Sequence, residues 1–219
     1  MLSELSRCLL RVVIISGRDT DFLVSRLPLP HALFIGNYGL EERTDGASRV
    51  VAEAQPYLER LGRAVDAVAA LPQARAAGIS IERKRAAISV HFRRAPDPSA
   101  SGTALQAPMQ EIARHEQLQL QPGRLVWELR PPIAIDKGAV LRRLAADMQP
   151  AAIIYAGDDR TDAQAFSALK RMTEVGTVAV GVRSPEVPDD VFLDCDLLVD
   201  GTPGVSQLLT QLLDVCANA

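Results

Sequence analysis

Lysine is scarce in these 219 residues, occupying only positions 84, 137 and 170 against 24 lysines and arginines together. Arginine supplies the ordinary surface charge, so each position that keeps lysine becomes a candidate for particular chemistry. Cysteine is equally sparse: Cys8, Cys195 and Cys216 stand far apart, odd in number and without metal-ligand spacing. That pattern gives neither a disulfide framework nor a thiolate zinc site, and it suits a reducing compartment, by default the cytoplasm. Long apolar runs are absent too. Stretches such as 12–15 and 151–156 are strand-sized, far below the roughly 20 residues that span a bilayer, and the first residues have neither the cationic start nor the apolar core of a signal peptide. A net charge of −3 and a pI near 5.7 leave no general field for nucleic acid or an anionic membrane, so any anion must be met by a local site.

The apolar pattern that is present alternates buried strands with helices. Ser3 can cap a helix through residue 10, residues 11–16 form a continuous apolar strand that ends at Gly17, a helix covers 20–26, and a second buried strand, 32–35, ends at Gly36. From about residue 44 to 124 the character changes. A long helix interrupted at Pro56 is expected over 48–71, a hairpin over 79–84 and 86–93, a helix from 104 to about 116, and two strands near 118–121 and 125–129. Beyond Pro132 the buried pattern returns: helix 137–148, strand 151–156, helix 162–171, strand 177–182 and a last helix near 205–215. The expectation is an α/β core, residues 1–43 and 131–219, with residues 44–130 inserted as an α/β cap.

Three carboxylates crowd one turn in Gly157-Asp158-Asp159-Arg160-Thr161-Asp162, directly after a buried strand. At the C-terminal end of a parallel strand such a cluster lies where ligands bind, and its hard oxygen donors suit Mg²⁺ better than Zn²⁺. Asp162 can equally serve as a helix N-cap, and capping and function are compatible. Ser16-Gly17-Arg18 ends the first strand, where the serine hydroxyl either satisfies local backbone or faces a ligand. Lys137 opens a helix, a position where the helix dipole mildly disfavours a cation. Glu82 and Lys84 lie on the expected hairpin beside Glu128 and Arg130 of a later strand. They are either an exposed face of alternating charge or a set of groups able to read hydroxyls. His91, on a strand, is expected to be structural, and His31 and His115 are given no role.

Taken together, these stretches resemble the trehalose-6-phosphate phosphatases of the haloacid dehalogenase superfamily, over residues 5 to about 213. Gly157-Asp-Asp-Arg-Thr-Asp162 is similar to that family's fourth motif, Ser16-Gly17-Arg18 to the second, and Asp136-Lys137-Gly138 to the third. Gly36-Asn37-Tyr38-Gly39-Leu40-Glu41 resembles a family loop with tyrosine in place of the usual histidine. Glu82-Arg83-Lys84, Val90-His91-Phe92-Arg93 and Glu128-Leu129-Arg130-Pro131 resemble its cap strands. The resemblance implies that Asp158 and Asp159 hold Mg²⁺, that Asp162 supports them, and that Ser16 and Lys137 meet the phosphoryl group. Arg18, Asn37, Glu82, Lys84, Glu128 and Arg130 would meet the sugar phosphate, trehalose 6-phosphate.

The same resemblance requires an Asp-x-Asp-Gly-Thr segment upstream of Ser16, on a central strand of the core sheet, and the first aspartate here is Asp19. The expectation is therefore a family member lacking its nucleophile, truncated and inactive alone, with its first, central strand missing. Two other readings stand beside it. One is a catalytically dead sugar-phosphate binder or regulatory partner of a trehalose-phosphate synthase, and the other is a related phosphatase for sucrose phosphate or glucosylglycerol phosphate.

Overall fold

The computed structural model describes residues 1–44, 46–185 and 187–217, and arranges them as three sheets with seven α-helices among those residues. In the first sheet, α1 (Leu2–Cys8) leads into β1 (Val13–Ile15), and α2 (Thr20–Arg26) crosses to β2 (Leu33–Gly36), which pairs parallel to β1. Asp19 starts α2 by accepting the Phe22 amide at 2.7 Å. β3 (Glu41–Thr44) and β4 (Ala47–Val50) then extend the sheet antiparallel, in the order β1-β2-β3-β4.

This hairpin corrects the long helix expected from residue 48. The open edge of β2 supplies backbone partners that a local reading of Glu41-Glu42-Arg43-Thr44 cannot show, and β-branched Val50 and Val51 favour the extended form. The chain enters a 3-10 turn over Ala52–Tyr57, which contains Pro56, and only then forms α3 (Leu58–Ala70).

The second sheet is wholly antiparallel, in the order β5 (Ser80–Arg83), β6 (Ile88–His91), β8 (Val126–Arg130), β7 (Gln119–Gly123). Side chains alternate across a strand. Ile88, Val90 and Leu129 therefore face α3 and α4 (Pro98–His115), where they pack with Val68, Leu105 and Met109. α4 begins earlier than expected because Asp97 accepts the Ala100 amide at 2.9 Å and Pro98 occupies the first turn, where its missing N–H costs nothing.

The third sheet is parallel, in the order β11 (Leu197–Asp200), β10 (Gly176–Arg183), β9 (Ala152–Gly157). The short β11 was not anticipated. α5 (Lys137–Met148), α6 (Ala163–Lys170) and the C-terminal α7 (Gly201–Ala217) complete this part. α5 serves the first and third sheets: Val140 and Leu144 pack with Leu33 and Ile35, while Leu141 packs with Phe166 and Ala179. β1 and β9 each end their own sheet, and among the described residues no strand pairs with the outer edge of either. The α/β class is as expected.

Candidate active site

Asp162 is the knot of the carboxylate turn. It is 2% exposed, and its Oδ2 accepts the amides of Asp158 at 2.9 Å and Asp159 at 2.8 Å. Its Oδ1 accepts Lys137 Nζ at 2.5 Å and the Tyr155 hydroxyl at 2.6 Å. Four donors hold one carboxylate, so the turn after β9 and the start of α5 are fixed to each other. Gly157 permits this, since a Cβ there would lie 2.4 Å from Asp162 Cγ. Gly138 does the same for the helices, since a Cβ would meet the Gln164 carbonyl at 2.5 Å. Burial and the neighbouring Asp162 carboxylate push the Tyr155 phenol upward, which keeps it a neutral donor. Tyr155 had no assigned role, and a lone phenol in the apolar run 151–156 was the signal for it.

The Asp158 and Asp159 side chains are exposed at the end of β9, and neither forms an ion pair with a described residue. Among the described residues no group of three or more His, Cys, Asp or Glu gathers as a ready metal cage. Mg²⁺ commonly takes one or two carboxylates together with water and substrate phosphate, so two adjacent exposed carboxylates fit that ion's demand.

The Ser16 turn is built against the Asn37 loop. Asn37 N donates to Arg18 O at 2.9 Å and Tyr38 N to Ser16 O at 3.0 Å. Gly17 leaves room for the Tyr38 ring, whose Cζ would lie 2.3 Å from a Cβ at that position. Asn37 and Tyr38 both adopt left-handed backbone, φ 50° and 57°. The Ser16 hydroxyl accepts the Arg18 amide at 3.2 Å, the local use weighed above, which leaves its own hydrogen to donate. The Arg18 guanidinium stacks on Phe22 at 5.1 Å.

Asn37 Nδ2 donates to Glu41 Oε2 at 2.7 Å, and Asn37 Oδ1 is a buried acceptor without a partner among the described residues. Glu41 is fully buried, and burial pushes its carboxyl upward against the hydrogen bond from Thr20 and the nearby Arg85. It positions Asn37 and was missed as a role, although it closes the Gly36-to-Glu41 motif.

The second, antiparallel sheet presents a polar row. The register sets Glu82 opposite Ser89, Ser89 opposite Glu128, and Glu128 opposite Gln121. Lys84 Nζ, at 2.9 Å, and Ser89 Oγ, at 2.7 Å, donate to Glu128 Oε1. Burial alone would raise the Glu128 carboxyl, but Lys84, Ser89 and Arg130 together hold it below the ordinary value of 4.5. His91 Nε2 meets Glu82 Oε2 at 2.7 Å, the structural use expected of that histidine. Arg130 joins the two halves of the site: its guanidinium lies over the Tyr38 ring at 4.7 Å, and Nη2 donates to Asn37 O at 3.5 Å. Tyr38 in turn feels the charges of Glu128, Arg130, Asp159 and Arg18, and its phenol is raised, chiefly by burial.

The structure thus ties Lys137, Asp158, Asp159 and Asp162 into one group and Ser16, Arg18 and Asn37 into a second. Lys84, Glu128 and Arg130 form a third, with Tyr38 in contact with Gly17 and Arg130. Glu82 stands at the margin with His91. A separate cavity of about 610 Å³, lined among others by Gly39, Glu42, Ile135 and Arg143, includes none of the candidate residues.

Parallel strands with a Ser turn at one strand end, a Gly-Asp-Asp turn at another and an inserted antiparallel sheet define a haloacid dehalogenase-like α/β protein. A haloacid dehalogenase-like hydrolase from Bacteroides thetaiotaomicron shares the fold with a TM-score of 0.60 at 15% identity, covering 96% of this chain and 90% of that one. A trehalose-6-phosphate phosphatase related protein superposes with a TM-score of 0.75 at 21% identity, over 94% of this chain and 82% of that one. The trehalose-phosphatase family model matches residues 1–193, and the chain belongs to that family. It is 31% identical to a trehalose-phosphate phosphatase of Mycobacterium avium over 169 residues, 73% of this chain and 41% of that protein. It is 36% identical to an uncharacterized glycosyl hydrolase of Mycobacterium tuberculosis over 176 residues, 76% of this chain and 13% of that protein. The chain therefore spans less than half the length of either curated relative. Among the described residues no helix is long and apolar enough to cross a membrane.

Proposed function

We propose that these residues form the greater part of a trehalose-6-phosphate phosphatase catalytic unit, working in the cytoplasm in trehalose synthesis, with core 1–43 and 131–219 and cap 44–130. That division cuts the β3–β4 hairpin, whose first strand pairs with β2 of the first sheet. The observation that carries this reading is the Asp162 knot, which holds the Lys137 ammonium and the Asp158-Asp159 turn against each other.

In this reading Lys137 neutralises charge on the transferring phosphoryl group and the Ser16 hydroxyl donates to one of its oxygens. Asp158, directly, and Asp159, through water, would hold Mg²⁺, which when bound supplies positive charge to the phosphoryl oxygens. The Glu82, Lys84, Glu128 and Arg130 groups of the cap, with Asn37 and Arg18 below, read the sugar hydroxyls. A substrate lacking those hydroxyls would leave buried polar groups unpaired.

The attacking carboxylate is not among these 219 residues. We place it on a strand that pairs with both β1 and β9, in the Asp-x-Asp-Gly-Thr form that the resemblance implies. Its carboxylate bonds to phosphorus as the sugar oxygen departs. The aspartate two residues later gives that oxygen a proton, and water then cleaves the aspartyl phosphate. The 219 residues alone are accordingly inactive.

The test is phosphate release from trehalose 6-phosphate by the chain with and without such a strand added before Met1. Turnover only in the extended form, abolished by Asp158→Ala, supports the reading, and turnover by the 219 residues alone refutes it. Sucrose phosphate and glucosylglycerol phosphate given to the extended form decide the sugar. Tight binding without turnover in that form would point instead to a sugar-phosphate sensor or a partner of a trehalose-phosphate synthase.

A further inference from the structure

The first and third sheets carry different parts of the site, Ser16 and Asn37 on one and Asp158 and Asp159 on the other, and no β-ladder joins them among the described residues. On one side α5 spans both. A second connection is made by α1, which leads into β1, and α7, which follows β11. Thr210 donates to Met1 Sδ at 3.4 Å, fixing one end of that contact. Two turns further along each helix, seven residues in α1 and six in α7, lie Cys8 and Cys216. α1 and α7 pack against each other, and Cys216 interacts with Cys8 beyond the Met1–Thr210 contact. A hydrogen bond with Cys8 is the first cause pushing the Cys216 thiol upward. Cys8 is exposed and Cys216 half-buried, and both are free thiols.

We propose that Cys8 and Cys216 are a modification site: a dithiol that an oxidant of the low-molecular-weight disulfide class converts to an intramolecular disulfide, strapping the two half-sheets together across α1 and α7. The exposed Cys8, as thiolate, attacks one sulfur of the small disulfide and releases one small thiolate. The Cys216 thiolate then attacks the Cys8 sulfur of the mixed disulfide and releases the second. Two protein thiols are oxidised, one small disulfide is reduced to two thiols, and two protons pass from the cysteines to the leaving thiolates. Cys195 takes no part: it stands on the β10–β11 connection beside Phe192 and Gly181, with burial pushing its thiol up to about 11. The inference rests on the helix contact and is independent of the phosphatase reading.

The test treats the 219-residue chain with oxidised glutathione, alkylates the remaining thiols and maps the digest by mass spectrometry. The expected product is a monomer with one Cys8–Cys216 cross-linked peptide and alkylated Cys195. Its thermal midpoint should be higher by about 5 °C or more than that of the reduced chain, a gain reversed by dithiothreitol. Cys8→Ser and Cys216→Ser should each abolish both the cross-link and the shift, and Cys195→Ser should leave both unchanged. Separate glutathione adducts on Cys8 and Cys216, a cross-link between two chains, or a cross-link formed equally well in urea would each overturn the proposal. The urea arm keeps the test decisive for a variant that folds poorly, because only the folded helix contact favours this pairing over the others.

Discussion

Lys137 Nζ and Asp162 Oδ1 lie 2.5 Å apart, in side chains 9% and 2% exposed, and this pair joins the start of α5 to the turn after β9. Removing one partner of a buried pair leaves a charge without compensation, at a cost of about 3–5 kcal/mol. Asp162→Ala also strips the Asp158 and Asp159 amides of their acceptor. It is expected to lower stability by at least that amount in urea denaturation, whereas Asp158→Ala, at an exposed position, should change it by less than about 0.5 kcal/mol. Equal effects would remove Asp162 from the centre of the site.

Glycine substitutions should differ in sign by position. Gly157→Ala forces a Cβ to within 2.4 Å of Asp162 Cγ and is expected to cost about 1–3 kcal/mol. Gly62, inside α3, has nothing within 4 Å of a Cβ, so Gly62→Ala should stabilise by about 0.5–1 kcal/mol. Thermal melts of the two variants check both signs.

Glu128 gives the antiparallel sheet an acid dependence. Its carboxyl is held below 4.5 in the folded chain, so its contribution is present at pH above that value and is lost as pH falls through the folded pKa. Lys84→Met removes the nearest cation and should raise the Glu128 titration midpoint. The stability penalty of this variant should therefore be largest near neutral pH and shrink in acid. Carboxyl carbon chemical shifts followed against pH, with urea melts at pH 7 and pH 3, provide the measurement.

Tyr38, in the loop after β2, meets Arg130 of β8, and a cation over an aromatic face is worth about 0.5–2 kcal/mol. Tyr38→Leu keeps an apolar body against Gly17 but loses the stack. It should weaken sugar-phosphate binding by about 3- to 30-fold in calorimetry of the strand-extended chain. Tyr38→Phe should keep most of the affinity, because the ring and not the hydroxyl carries the contact.

Much of this arrangement was legible in the sequence because it is local. The apolar run before Ser16, the Gly-Asp-Asp turn and the Asp136-capped α5 each announce themselves within a dozen residues, and α5 spans Lys137–Met148 as expected. What escaped depends on distant partners. β3 and β4 are polar and become strands because β2 offers an edge, and β11 is short and exists through pairing with β10. The buried roles of Glu41 and Tyr155 arise from contacts with Asn37 and Asp162, and the contact of Cys8 with Cys216 depends on the packing of the first and last helices.

The central claim is that Ser16, Lys137, Asp158 and Asp159 complete a phosphatase site once a strand bearing an aspartate pairs with β1 and β9. Its most direct test is the rate of phosphate release from trehalose 6-phosphate with Mg²⁺, compared between the 219 residues and the same chain preceded by an Asp-x-Asp-Gly-Thr strand. Turnover in the extended chain alone, reduced at least about 100-fold by Lys137→Ala, is the predicted result. Equal turnover in both chains, or none from an extended chain that folds, would contradict it.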